Sequence, residues 1–148
     1  MCRSPSRLKT RKGFTLVELA VVIVIIGVLA AFGVPRFLKS VERSKAAEAF
    51  SYLSAVRSSQ ERYLAQYGQY ASDLTQLDIQ YPTPAYFSVG SCTATQNTWT
   101  LTLTRTGASA GYGAYSVIFT DQGYDSTNSG IQTIPDINPI SNSISTGS

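Results

Sequence analysis

Lys12-Gly13-Phe14-Thr15-Leu16-Val17-Glu18, continued by Leu19-Ala20-Val21-Val22-Ile23-Val24-Ile25-Ile26-Gly27-Val28-Leu29-Ala30-Ala31-Phe32-Gly33-Val34-Pro35, is the stretch on which the reading of this chain turns. Between Phe14 and Val34 lie 21 residues with a single charge, Glu18. A helix of that length rises about 30 Å, the hydrocarbon thickness of a bilayer. Ahead of the run, residues 1–13 hold Arg3, Arg7, Lys9, Arg11 and Lys12 and no acid. Basic residues tend to stay cytoplasmic, so the expected orientation puts the C-terminal part outside. Arg36, Lys39, Arg43 and Lys45 follow the span closely and temper that bias.

Past Pro35 the apolar residues no longer fill the helix but recur on one side. Phe37, Val41, Phe50, Leu53, Val56, Leu64 and Tyr67 fall near three- and four-residue spacing, with Glu42, Arg43, Lys45, Glu48, Arg57, Ser58 and Glu61 opposite. A helix continuous from Phe14 to about Gln66 would be roughly 80 Å long and would need partners along its length. Gly27 and Pro35 qualify that continuity. Proline lacks the donor for an intrahelical bond and clashes with the preceding turn, so a kink or local melting is expected between the two.

Gly68 ends the helix, and Ser72-Asp73-Leu74 can cap a short helical turn running to about Leu77. Pro82 and Pro84 precede a change of period. Ala85 to Val89, Thr98 to Arg105 and Ala114 to Thr120 read as strands, Trp99-Thr100-Leu101-Thr102-Leu103-Thr104 most clearly, with turns at Gly107 to Gly113 and Asp121-Gln122-Gly123. The expected fold is α+β: a long N-terminal helix carrying a small antiparallel meander of three or four strands that covers Phe50, Leu53 and Leu64. From Asp125 the chain is rich in Ser, Thr, Asn, Pro and Gly. Pro135 and Pro139 rule out an ordinary helix for Ile131, Ile134, Ile137, Ile140 and Ile144, leaving a tail that lies along the sheet or is disordered. The expected divisions are a leader at 1–13, an apolar helix at 14–35, its amphipathic continuation at 36–67, a head at 68–124 and a polar tail at 125–148.

Composition removes several functions. Without the leader the chain has seven basic and nine acidic side chains, net −2, which is no footprint for nucleic acid. Histidine is absent and no C-x-x-C occurs, so haem attachment, the common zinc sites and a nucleophile–base pair have no carriers. No cofactor and no enzymatic activity are expected. Cys2 precedes the span and Cys92 follows it, so Cys92 is expected to be unpaired. Asp121, Asp125 and Asn128 are the only grouping suggestive of a cation; their spacing is not that of an EF-hand loop, and a solvated turn is the reading taken.

The stretch Lys12-Gly13-Phe14-Thr15-Leu16-Val17-Glu18 followed by the apolar run closely resembles the type IV prepilin signature. Ala46-Ala47-Glu48-Ala49, Glu61-Arg62-Tyr63 and Tyr67-Gly68-Gln69-Tyr70 resemble the later part of the pilin helix more loosely. The resemblance implies cleavage after Gly13 by a prepilin peptidase, N-methylation of the new terminus at Phe14, insertion of the precursor in the inner membrane, and polymerisation by pilus or secretion machinery. It also implies a partner for Glu18, whose ionised carboxylate costs on the order of 3 kcal/mol at the centre of a membrane helix and less near its end. That partner is the terminal amine of Phe14 in a neighbouring subunit. Packing of Leu16, Val21, Ile25 and Val28 against other copies would supply the cohesion of a homopolymeric filament. A type IV pilus and the pseudopilus of a type II secretion system both fit. The absence of a possible head disulfide leans toward the second, and the absence of an Asp-Pro-Trp-Gly-like signature leans back. A secreted β-rich binding domain cut near Val28-Leu29-Ala30, and an uncut single-span anchor, are the rivals from other classes; the length of the run and Glu18 within it oppose the former.

Overall fold

The computed structural model describes residues 13–107 and 111–141. The basic leader through Lys12, the middle of the expected Gly107 to Gly113 turn, and the tail beyond Ser141 with Ile144 lie outside them. The chain divides at Pro35 into two compact units, one ending there and one beginning at Arg36. Helix α1, Leu16–Tyr67, contributes to both, and its helical assignment runs through Gly27 and Pro35.

In the second unit α1 carries a buried stripe, Glu42, Ala46, Ala49, Leu53, Val56 and Gln60, spaced alternately by four and three residues. Against it lies a five-stranded antiparallel sheet: β1 Phe87–Val89, β2 Thr93–Ala94, β3 Trp99–Arg105, β4 Ser116–Thr120 and β5 Gly123–Tyr124. The order is β1-β3-β4-β5, with β2 also pairing β3. The two shortest strands were not expected from sequence, since two residues carry no period. The β1 and β2 pairings take successive stretches of β3, Leu103 to Arg105 and Trp99 to Thr100. Between them Gly90 donates its N–H to the Thr102 carbonyl at 2.9 Å, and a Cβ there would sit 2.8 Å from the same oxygen.

Strand alternation explains the core. In β3 Trp99, Leu101, Leu103 and Arg105 face inward and the threonines outward. Ala46 and Ala49, fully buried, put little side chain between helix and sheet, and Phe50, Phe119 and Tyr124 close one end as an aromatic cluster with centroids 5.0–6.0 Å apart. Of the apolar helix residues expected inside, Phe50, Leu53 and Val56 are buried, Leu64 is only half-buried, and Phe37 and Tyr67 are exposed.

The same alternation delivers Arg105 into the core, where it meets Glu42. This corrects the expectation that Glu42 lies on the polar face. Arg105 Nε donates to Glu42 Oε1 at 2.6 Å and Nη2 to Oε2 at 3.2 Å, and the Tyr115 hydroxyl donates to Oε1 at 3.0 Å. Arg105 Nη1 donates to the carbonyls of Tyr86 and Thr106. Burial pushes the Glu42 carboxyl up, but hydrogen bonds from Arg105 and Tyr115, with the charges of Arg105 and Lys45, more than offset this and leave it lowered.

After α1 the chain is pinned by the Gln60 amide, which accepts from Ala71 N–H at 2.9 Å and donates to the Ala71 carbonyl at 2.8 Å. Gln60 also donates to Cys92 Sγ at 3.5 Å. Cys92 is a free, buried thiol, and burial raises its pKa, which keeps it protonated and unreactive. Asp73 caps the expected helical turn, a 3₁₀ helix at Leu74–Gln76, by accepting from Thr75 N–H. The described part of the tail lies against the sheet: Ile131 and Ile137 are fully buried, and the Ser129 hydroxyl accepts from Ile118 N–H of β4 at 2.9 Å.

Two outcomes follow for the detergent-solubilised chain. Glu42→Gln leaves a buried guanidinium without its charge partner and is expected to lower unfolding stability by about 3 kcal/mol in urea titrations at pH 7. Because the folded pKa of Glu42 lies below its unfolded value, the contribution is complete above the ordinary carboxylate range. The gap between wild type and variant should therefore close as pH falls through that range and below it. Gly90→Ala, forcing a methyl group onto a backbone carbonyl, is expected to cost about 1–3 kcal/mol in the same titration.

Candidate functional site

At the N-terminal end of α1 the sequence Thr15-Leu16-Val17-Glu18 forms a reciprocal cap. The Thr15 hydroxyl accepts from the Glu18 N–H at 3.2 Å, while Glu18 Oε2 accepts from the Thr15 N–H at 2.9 Å and the Thr15 hydroxyl at 2.8 Å. This is a capping box, in which a Thr and an acid three residues on satisfy each other's free N–H groups, and the negative carboxylate suits the positive end of the helix dipole. Within one chain Glu18 is therefore folded back over the helix start, one turn from Phe14. Thr15 is the capping residue that the sequence reading above does not name, although Thr-x-x-Glu before an apolar run is its signature.

Beyond the cap, every residue from Gly13 to Leu38 is exposed. Phe14 is 83 % accessible and Leu16 88 %, and Val21, Ile25 and Val28, the residues expected to pack between copies, are each more than half accessible. α1 is long and apolar enough to cross a membrane. Each such side chain is worth about 1.5–3 kcal/mol when withdrawn from water, so the run requires cover on a scale of tens of kcal/mol. No atom of the described chain comes within 4 Å of the position a Cβ would take at Gly13, Gly27 or Gly33.

The structure brings together two of the three cation candidates, in another role. Asp125 Oδ1 accepts from the N–H groups of Thr127 and Asn128, and Oδ2 from the Asn128 side-chain amide at 2.7 Å. Those bonds, the Asn128 ones foremost, hold the Asp125 carboxyl below the usual range. Asp121 instead accepts from its neighbour Gln122. Asn128 thus presents hydrogens to Asp125, and among the described residues no three His, Cys, Asp or Glu side chains gather as metal ligands. Among the aromatic residues, Tyr52, Trp99 and Tyr115 are in the core, and Tyr63 and Tyr67 pair on the helix with centroids 4.4 Å apart.

Comparison with known proteins accounts for both units. Residues 8–34 match the model of the prokaryotic N-terminal methylation motif. Residues 35–114 match the model described as type IV minor pilin ComP, DNA uptake sequence receptor. A fimbrial protein of Pseudomonas aeruginosa is 36 % identical over 74 residues, 50 % of this chain and 48 % of that protein. The type IV major pilin protein PilA of Myxococcus xanthus is 42 % identical over 60 residues, 40 % of this chain and 27 % of that one. The type IV major fimbrial protein FimA of Dichelobacter nodosus is 47 % identical over 47 residues, 32 % and 29 % of the two chains. The chain thus spans about half the length of the Pseudomonas relative and less of the others. With one family model matched over more than half of its residues and the methylation motif matched over the apolar run, the chain belongs to the type IV pilin family.

Proposed function

We propose that this chain is a structural subunit of a type IV pilus-like filament, made as an inner-membrane precursor, cut after Gly13, N-methylated at Phe14 and assembled through α1. The observation that carries the reading is the exposed apolar run with Glu18 as its one charge. Before assembly, lipid covers the run. In the filament, helices of other copies replace the lipid, and since tails are as apolar as leucine the gain comes from packing and polar pairing rather than from water release. Glu18 supplies the polar term. On assembly its carboxylate exchanges the Thr15 cap for the terminal amine of a neighbour's Phe14, neutralising two charges in an apolar surround and fixing the axial register.

The names of the Pseudomonas, Myxococcus and Dichelobacter relatives support a surface pilus over a secretion pseudopilus. The family model matched over the head names a DNA uptake receptor, and a DNA-contacting role is the second reading that this match favours. The cations available to it are few. Lys39 pairs with Asp136, Lys45 and Arg105 with Glu42, and Arg62 with Asp78, and the net charge after residue 13 is −2. The structural role is the better supported of the two.

The N-terminal residue and intact mass of the protein sheared from cells test the reading directly. A chain starting at methylated Phe14 is the expected result; one starting at Ala31 or at Met1 overturns it. Glu18→Ala is expected to be cut and methylated normally yet to yield few or no filaments by electron microscopy, and wild-type filament numbers from that variant would remove Glu18 from assembly.

A further inference from the structure

Four bases, Arg36, Lys39, Arg43 and Lys45, follow Pro35 closely. With the C-terminal part outside, they stand where the positive-inside tendency disfavours them. Two have acids of their own chain: Lys39 lies 3.0 Å from Asp136, and Lys45 lies 3.7 Å from Glu42. Arg36 and Arg43 are exposed and, among the described residues, enter no ion pair or hydrogen bond. The nearest acids of α1 are engaged elsewhere, Glu42 with Arg105 and Glu48 with the Ala85 N–H.

These two arginines share one side of the helix. Seven residues at about 100° each return within about 20° of two full turns, so Arg43 follows Arg36 on the same face, about 10 Å further along the axis. Both belong to the unit that begins at Arg36, and their relation is independent of any bend at Pro35. Lys39, about 60° to one side, completes a basic stripe with Asp136 as its own acid.

Chain connectivity sets the depth of Arg36. Phe14 to Val34 fills the hydrocarbon layer, and two further residues reach at most about 7 Å whatever their conformation. The polar layer on each side of the hydrocarbon is about 5–8 Å deep, so Arg36 falls within it. Helical side chains lean toward the N-terminus, which carries the Arg43 guanidinium back toward the same layer. Phe37, 67 % exposed, sets an apolar ring beside Arg36. A guanidinium offers paired donors that match phosphate oxygens, and phosphate is the anion this layer holds.

We infer that Arg36 and Arg43 form a binding edge for the phosphate groups of anionic phospholipid in the membrane that holds the precursor. The inference rests on the membrane-inserted precursor of the proposed function and names the lipid that it selects. Two free guanidinium groups on a chain of net charge −2 after residue 13 are too few for a nucleic-acid footprint, whereas they suit one or two lipid headgroups.

The test uses the full chain reconstituted in phosphatidylcholine vesicles with trace spin-labelled lipid. The motionally restricted fraction of phosphatidylglycerol is compared with that of phosphatidylcholine. At low salt, Arg36→Gln/Arg43→Gln is expected to lower the preference for phosphatidylglycerol at least about threefold from wild type, with Arg36→Lys/Arg43→Lys within about 1.5-fold. The bases of the leader are common to every variant, so the difference belongs to the stripe. Arg57→Gln, which removes an exposed base elsewhere on the head, is expected to leave the preference at the wild-type value. An unchanged urea midpoint in each variant verifies the fold. Equal preference in wild type and the double glutamine variant, or an equal loss in Arg57→Gln, overturns the inference. Release of the restricted phosphatidylglycerol by millimolar inorganic phosphate marks a free-anion site, and release by a duplex oligonucleotide marks a nucleic-acid surface; either result also overturns it. So does a double glutamine variant with wild-type lipid preference and few filaments, which transfers the two arginines to contact with another copy. The lipid measurement needs neither filaments nor a cut at Gly13. A chain left uncut at Met1 therefore overturns the proposed function alone, and one starting at Ala31 overturns both.

Discussion

The rest of the molecule answers to one constraint, the apolar run from Phe14 to Val34, which stands exposed among the described residues. A soluble fold would place such residues against one another. Here the second unit builds its core on a stripe of α1 that begins at Glu42. Lipid and helices of other copies are both able to cover such a run, and the two are close in hydrophobic energy. What distinguishes them is polar and specific, so a single charge within the run counts for much.

Inside the head, the corresponding role falls to Glu42 and Arg105. A bidentate buried pair adds little net stability over well-packed hydrocarbon, but it penalises wrong arrangements heavily. Slipping β3 by one residue would turn Arg105 and Trp99 outward and strand Glu42 among apolar side chains. Rotating α1 would do the same from the other side. The pair therefore couples the phase of the helix to the register of the sheet, and Tyr115, from the segment leading into β4, adds a third element to the lock.

Much of this was legible in the sequence. The apolar run, the break in character at Pro35, the end of the helix near Gly68, the Asp73 cap and strand β3 each follow from a local pattern several residues long. What escaped has a common physical cause. β2 and β5 are two residues each and exist through pairing with longer neighbours, so no period announces them. Glu42 was assigned to the polar face because it is charged; its burial depends on Arg105, 63 residues away, and only the spacing back from Ala49 and Ala46 hinted at it. The Glu48 carboxylate belongs to tertiary structure in the same way: the Ala85 N–H, 37 residues on, takes one oxygen, and Lys45 turns to Glu42.

The buried pair also fixes part of the surface of the head. If the sheet could shift on the helix, a groove built from Val41 and Glu48 of α1 and Tyr86 of the segment before β1 would have no fixed shape. Arg105 prevents this at the groove itself: it donates to the Tyr86 carbonyl and lies 5.6 Å from the Tyr86 ring, while Glu42, its partner, also holds Lys45. The buried pair thus positions two of the groove's walls. A network that serves fold specificity thus also shapes the surface of the head, and disturbing its charge would loosen both together.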